Sequence, residues 1–410
     1  MTSKERILAT IEGKAKDHTP CTAWCFGFLA PEHLRWQRDG HKIKYWYSKR
    51  MEHIHTLAKP WTLEDDFKRV ETWFSLGIDD ILDVSVPWSQ ADDVSWQDLK
   101  VPAGQANQYP LLVREYQTPS EALRHAVRQT GEYHGQGWVI QPEYVALFED
   151  YNIPRAAEHA VSSPSDVPMI KHLYAALNSE AKSWFAERMA KVKRFADEKG
   201  VLVQAWSAFG MDAVVWLTGT EAAIMMAIDT PQVFEQLTEI IAKTDYARTE
   251  LAAMTDGVDM VVERGWYSST DFWSPSLFDK YVYPHVAKLA ALAHKHGKKF
   301  AYVMTTGVEV LGPKLADAGV DVLYFVDPVQ DKISLEKVKE LLGARIAVAG
   351  GTNALSLATG DPARICSEVK RAIEILGPTD RFILHPVDAL FPDTPWQGVE
   401  QMIEAWKEYR

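Results

Sequence analysis

Four side chains able to do acid, base or ligand chemistry stand at or near the ends of apolar runs: Glu263, Tyr302, Asp327 and His385. Glu263 follows Met260-Val261-Val262, Asp327 follows Leu323-Tyr324-Phe325-Val326, and His385 follows Phe382-Ile383-Leu384. A carboxylate carried by a buried strand to an open end can be a general base, a metal ligand or a substrate anchor. A histidine there can move protons near neutral pH or hold a metal. Blander roles compete at each position. Asp327, followed by Pro328, suits a helix cap; Glu263 beside Arg264 suits a structural ion pair; His385 suits a satisfied core histidine. Asp83 and Asp388 are further strand-end carboxylates. Arg264 could hold a carboxylate, and Trp206, Trp266 and Tyr324 could wall a flat ligand.

Something must bring these strand ends together. Apolar runs at 258–263, 299–304, 320–327, 345–350 and 381–385 read as buried strands. Amphipathic stretches at 278–296 and Leu335–Leu342 lie between them. Such alternation predicts a parallel sheet covered on both faces, closed into a single (β/α)8 TIM barrel over residues 1–410. Chemistry in a barrel collects at the C-terminal strand ends, so Glu263, Tyr302, Asp327 and His385 are expected to line one cavity. Earlier in the chain the pattern predicts a helix over 2–13, with Thr2 and Glu5 at capping-box spacing and Gly13 as its stop. A strand over 20–26, a helix over Leu63–Leu76, and a strand over 80–86 carrying Asp83 follow. Residues 31–60 read as loop and short helix near the mouth. The alternation breaks at about 94–140, where Leu111–Gln117 and 131–140 read as a hairpin. This is a small antiparallel β insertion. Long helices at 182–199 and 230–254 flank a strand at 201–206.

Composition narrows the function classes. A hydrophobic fraction of 47% and a charged fraction of 24% suit a globular chain rather than a disordered one. A net charge of −12 argues against a nucleic-acid partner. No run approaches the ~20 apolar residues of a membrane span, and no signal-peptide pattern opens the chain, so a cytoplasmic protein is expected. The 3 cysteines, Cys21, Cys25 and Cys366, cannot build a disulfide framework. Phosphate-loop, zinc-helix and nucleophile-elbow motifs are absent; Gly350-Gly351-Thr352 follows a strand but lacks the P-loop lysine.

The chain resembles the uroporphyrinogen decarboxylase superfamily, which also contains cobamide-dependent methyltransferases. The likeness is carried by Lys4-Glu5-Arg6-Ile7-Leu8-Ala9-Thr10-Ile11-Glu12-Gly13 with the segment 17–20, and by Leu76-Gly77-Ile78-Asp79-Asp80. Glu115-Tyr116-Gln117-Thr118-Pro119 with Gly137-Trp138 is similar to the insertion of the methyltransferase-like branch. Ser274-Pro275, Tyr283-Pro284, His294-Lys295-His296-Gly297-Lys298 and Pro392-Asp393-Thr394-Pro395 add to it. The resemblance implies methyl transfer from a small methylated donor, such as an aryl methyl ether, to a corrinoid acceptor on a partner protein. A homodimer is left open. Departures are informative. Where decarboxylases carry a basic segment after the first strand, this chain reads Trp24-Cys25-Phe26-Gly27-Phe28-Leu29. Where zinc-dependent members carry His-x-Cys, it reads Tyr302-Val303-Met304, so no Cys-ligated zinc is expected. Any metal would rest on Glu263 and His385, with Asp327 or Asp388 as further ligands. Two rivals remain: a metal-free decarboxylase or lyase with Arg264 holding a carboxylate, and a non-catalytic binding subunit.

Overall fold

A computed structural model describes residues 1–25, 28, 30–34, 50–51, 63–105, 107–130, 145, 147–150, 153–391 and 394–410. Its strands in chain order are β1 (Arg50–Met51), β2 (Ile81–Ser85), β3 (Trp88–Ser89), β4 (Ser95–Val101), β5 (Leu111–Gln117), β6 (Ala122–Arg128) and β7 (Ala156–Glu158). There follow β8 (Leu202–Ala208), β9 (Met260–Glu263), β10 (Lys299–Val303), β11 (Val322–Val326), β12 (Ala347–Asn353) and β13 (Phe382–Val387).

Seven strands form one parallel sheet in the order β13-β12-β11-β10-β9-β8-β2. The segment 20–25 occupies the eighth position. It pairs with the β13 side through parallel bridges Cys21–Leu384 and Cys25–Leu390. The Leu384 amide donates to the Pro20 carbonyl at 2.9 Å, and the Thr22 amide to the Leu384 carbonyl at 3.0 Å. On its other side the Asp79 amide donates to the Cys21 carbonyl at 2.9 Å. The expected strand over 20–26 is thus present as isolated bridges, with Phe26 outside the described residues, and the sheet curls into the barrel the alternation predicts. Most of 31–60 also lies outside the described residues.

The helix Ser3–Glu12 plugs the N-terminal end of the barrel. Its capping box and its left-handed Gly13 stop (φ 65°) are as expected. Ile7 and Ile11 pack with Ile81, Leu202, Met260, Val322, Ala347 and Ile383 at the floor. Arg6 locks the plug, pairing with Asp79 at 2.5 Å and Asp17 at 2.6 Å. Outside the strands, helices such as Gly210–Thr218, Pro231–Met254 and Tyr283–Lys295 form the second layer. The stretch 278–296 is two helices, Pro275–Tyr281 and Tyr283–Lys295, because Pro284 has no amide to continue the first one.

The insertion is a four-stranded antiparallel sheet, β4-β5-β6-β7. The partner of β5 is β6, not 131–140. The Thr118 hydroxyl receives the Glu121 amide at 3.2 Å, so the chain reverses within four residues and the very next stretch pairs. Residues 131–140 lie outside the described residues, and β7 carries the insertion beyond 140. Among the described residues no single helix is long and apolar enough to cross a membrane; one pair, Gly210–Thr218 and Thr220–Asp229, passes by length and composition but is bent by 102°.

The plug generates a stability test. Ile7→Ala removes a fully buried side chain from the floor, and such truncations cost about 2–5 kcal/mol. Urea unfolding should show a clearly lowered midpoint, while Leu8→Ala, at the partly buried edge of the same helix, should cost less.

Candidate active site

Strand side chains alternate between two faces, and the barrel wall turns this into two destinations. Ile81, Leu202, Val262, Ala301, Tyr324, Ala349 and Ile383 share the interior cluster with the plug helix. Continuing inward by steps of two, β2 delivers Asp83, β8 delivers Gln204 and Trp206, and β13 delivers His385. These residues line one cavity at the mouth, with Thr22, Trp24, Tyr324 and Phe325. Phe325 joins its neighbour Tyr324 there because β11 bulges. Its φ is 69°, and the register with β12 shifts between Tyr324 and Val326. A phenylalanine in that backbone region costs of order 1–3 kcal/mol.

The cavity is aromatic with a polar end. Trp24 lies flat against Trp206, with ring centroids 4.9 Å apart, and against Trp266 at 5.8 Å. Phe325 tilts against Trp24 at 5.4 Å. Asp83 holds the assembly: its Oδ1 accepts from Gln204 Nε2 at 2.5 Å and Trp206 Nε1 at 2.7 Å. Its Oδ2 accepts from Trp24 Nε1 at 3.3 Å. Gln204 Oε1 in turn accepts the Tyr324 hydroxyl at 2.9 Å. Burial raises the Asp83 carboxyl above its usual range, against the Arg69 charge and these donors. The space open to the centre of a water-sized group is about 20 Å³, room for roughly one water. A larger ligand therefore needs Trp24 to move.

His385 is 3% exposed and packs 5.3 Å from the Phe325 ring. Its Nδ1 meets the Thr22 hydroxyl at 3.0 Å, while Nε2 has no hydrogen-bond partner. Burial pushes its pKa down to about 3. The ring is therefore neutral at pH 7. With Thr22 donating to Nδ1, Nε2 carries the proton and becomes a donor; with the roles reversed, Nε2 offers a lone pair.

The four predicted residues do not share a cavity. His385 faces the mouth. Glu263 and Tyr302 are odd steps on their strands and face the helix layer: Tyr302 packs in the outer core and bonds the Ser268 hydroxyl, and Glu263 enters a separate cavity. Asp327 is a turn cap, accepting from the Val329 amide at 2.8 Å and Asn353 Nδ2 at 2.7 Å. Arg264 is committed, bonding Asp150 at 2.7 Å and Asp212 at 3.2 Å, with Trp266 and Trp216 against its guanidinium at 4.3 and 4.9 Å. Asp388 is half-buried near the Arg264 and Trp266 side of the mouth. Burial and the nearby Asp150 push its carboxyl up to about 7. Trp206, Tyr324 and Asp83 line the mouth, and Trp266 stacks beside them. Thr22, Trp24, Gln204 and Phe325 were missed. The two-residue spacings Thr22/Trp24 and Gln204/Trp206 would have revealed three of them.

The zinc ion that the resemblance raises meets no fitting donor set among the described residues. Glu263 and His385 face different cavities and cannot share a metal. Cys21 packs in the outer core, and burial raises both its thiol and that of Cys25. No group of three His, Cys, Asp or Glu side chains suited to a metal occurs among the described residues.

A parallel barrel with a mouth-end cavity defines a broad class of enzyme folds. Within it, the family model for uroporphyrinogen decarboxylase (URO-D) matches residues 146–409, and the chain belongs to this family. A methyltransferase from Methanosarcina mazei superposes over 100% of this chain and 99% of its own, with a TM-score of 0.62 and 17% identity, a likeness of fold. A 3-keto-D-glucoside 4-epimerase from E. coli overlaps 62% of this chain and 96% of its own at TM-score 0.33 and 12% identity, too little to argue from. No curated protein sequence matches the chain.

The neutral histidine generates a pH test. His385, like His125, has a folded pKa of about 3 against an ordinary value of 6.5. Between those values the unfolded chain holds the proton and the folded chain does not. The stability contributed by neutral burial is thus complete above pH ~6.5 and lost as pH falls toward 3, by up to about 1.4 kcal/mol per unit for each histidine. Asp80, Asp212 and Asp388, pushed up to about 7, act with the opposite slope. The readout is therefore the difference between wild type and His385→Gln. Denaturant unfolding from pH 7 to 4 should show the wild type losing stability more steeply. Parallel curves would mean that His385 is charged in the folded state.

Proposed function

We propose that this chain is a methyltransferase of the URO-D family that takes a methyl group from a small methylated aromatic donor, such as an aryl methyl ether. The acceptor in this reading is a corrinoid held by a partner protein. One observation carries the donor class: Trp24, a flat aromatic ring, fills the mouth beside a neutral histidine whose Nε2 is unpaired. A donor ring of similar shape would displace Trp24 and stack on Trp206 and Trp266. Aromatic stacking of this kind adds ~0.5–1.5 kcal/mol beyond area burial.

The chemistry required of the chain is leaving-group help. The methyl carbon–oxygen bond breaks, the electron pair stays on the departing oxygen, and that oxygen becomes a phenolate needing a donor. The corrinoid supplies the electron pair that accepts the methyl group. His385 in its Nε2–H form, held by the Thr22 hydroxyl, would donate to the developing oxyanion. A neutral imidazole stabilises that charge by a hydrogen bond and leaves full protonation to solvent after release. Asp83 orients Trp206, Gln204 and, through Gln204, Tyr324. Tyr302, facing the helix layer, and Asp327, capping a turn, drop out of the chemistry. So does Glu263.

The lyase rival needs a free cation for a carboxylate. Arg264 is held by two carboxylates and two rings, so that anchor is taken. A binding subunit would have little use for an unpaired buried imidazole, whose desolvation is costly.

The test is a donor panel with reduced cobalamin, following loss of its absorbance. Aryl methyl ethers should support turnover. A hydrogen bond to a charged group is worth ~1.5–3 kcal/mol, so His385→Ala should slow the reaction by about 10–100-fold. Nitro-substituted donors, whose phenolates leave more easily, should lose less. Trp206→Ala should raise KM more than it lowers kcat. No cobalamin consumption with any donor would defeat the proposal; an unchanged rate in His385→Ala would remove the histidine from its role.

A further inference from the structure

Glu263 opens a second chamber on the other side of the barrel wall. Its carboxyl is 2% exposed, and Oε2 has no hydrogen-bond partner. It forms the floor of a cavity between β9 and the helices Gly210–Thr218, Pro231–Met254 and Tyr283–Lys295. Gly210, at φ 53°, makes room for it, since a Cβ there would sit 2.5 Å from Glu263 Oε1. The walls are largely apolar, with Met211, Val214, Ile241 and Leu289. Tyr246 and His285, both half-buried and hydrogen-bonded to each other, form its outer side. The space open to the centre of a water-sized group is about 20 Å³, room for roughly one water, so an alkyl chain enters only as an apolar wall side chain such as Met211 turns aside.

An orphaned carboxyl oxygen in such a chamber calls for a donor. The neighbouring carboxylate, Asp245, is already satisfied by the Phe209 and Gly210 amides at 3.0 and 2.9 Å, by Arg248 at 3.3 Å and by Tyr174. Glu263 has no such cation. A bare divalent ion would need about six oxygen ligands, which aliphatic walls cannot supply. An N–H donor carrying a short apolar tail fits the floor and walls together.

We propose that this chamber binds a small protonated alkylamine, its ammonium on the Glu263 carboxylate and its alkyl chain along Met211, Val214 and Leu289. The site is independent of the methyl-transfer reading, because the barrel wall separates it from the mouth.

Several titratable groups face or adjoin Glu263: Asp212 from Gly210–Thr218, Asp245 with its partner Arg248 and Tyr246 from Pro231–Met254, Tyr281 from Pro275–Tyr281, His285 and Lys288 from Tyr283–Lys295, and Tyr302 from β10. Burial, then Asp245 and Asp212, hold the Glu263 carboxyl well above its usual range, which favours its protonated form in the empty protein. An ammonium ion would displace that proton. Binding should therefore tighten as pH rises, by up to ~10-fold per unit while Glu263 is protonated in the empty protein and the amine stays charged.

Thermal unfolding of the full chain with propylammonium chloride tests this. Sodium chloride at equal ionic strength and tetramethylammonium, which has no N–H, are the comparisons. Propylammonium should raise the unfolding temperature by about 2–4 °C near saturation, more at pH 8 than at pH 6, and the comparison salts should not. Glu263→Gln should abolish the shift. Ala242→Leu, which narrows the chamber and keeps the carboxyl, should weaken it even if the glutamine variant folds poorly. Asp83→Asn should leave it in place; its loss there would put the amine in the mouth instead. No shift, a shift shared by tetramethylammonium, an equal shift in Glu263→Gln, or a shift independent of pH would each overturn the proposal.

Discussion

The two-residue alternation of side chains along each strand is the constraint on which the molecule depends. A barrel wall is one residue thick, so adjacent residues belong to different compartments. On β8 the inward series is Gln204 and Trp206. On β13 His385 follows Ile383 inward. On β9 Val262 faces in, and Glu263, one residue later, faces out. A one-residue slip would exchange the two sets. The wall then imposes the same physical effect with opposite results. Burial withholds charge from both His385 and Glu263, so the base is pushed down and the acid up. His385 is neutral at pH 7, and Glu263 is biased toward its neutral form in its own chamber.

The architecture was legible because apolar strands and amphipathic helices differ in period and length, and because the first helix carries its own stop signals. The facing of the site residues was not. Strands buried on both faces read as near-continuous apolar runs, as in Val322-Leu323-Tyr324-Phe325-Val326, which carry no inward or outward mark. Burial of all five residues of β11 makes the point. A bulge adds to the difficulty: Phe325 enters the mouth only through its left-handed backbone, which apolar patterning does not signal. The hairpin was mispaired for a different reason. The tight Thr118 turn hid between two strands, and the more polar pattern of β6 did not stand out as a strand. Strand-end position alone therefore identified the barrel mouth but not its occupants. Step-of-two partners of a known inward residue, such as Gln204 beside Trp206, would have done better.

Electrostatics decide what the mouth can hold. Arg264, a cation that sequence places at the mouth, is neutralised by Asp150 and Asp212 and covered by Trp216 and Trp266. Arg69 is likewise spent on Asp80, at 2.7 Å. Asp83 is occupied by three N–H donors, and His385 is uncharged. What remains facing a ligand is aromatic surface, one amide–phenol pair and one imidazole nitrogen. Among the described residues such a lining penalises anions, whose desolvation meets no free cation there, and suits a neutral, flat molecule.

The described mouth residues of this family member offer no free arginine to a poly-carboxylate. The same fold can carry different chemistry because the barrel fixes only where side chains arrive. What has changed is the set of residues delivered: Trp24 and Trp206 stack where a carboxylate would need arginines. Trp24 is the pivotal member. It is half-buried, on a segment held to the sheet by isolated bridges rather than a full ladder, and its indole N–H bond to Asp83 is long at 3.3 Å. The weakest-held element of the wall carries the ring that fills the cavity. That coupling would let a flat ligand enter by displacing one side chain while the remaining strands hold His385 and Asp83 in place.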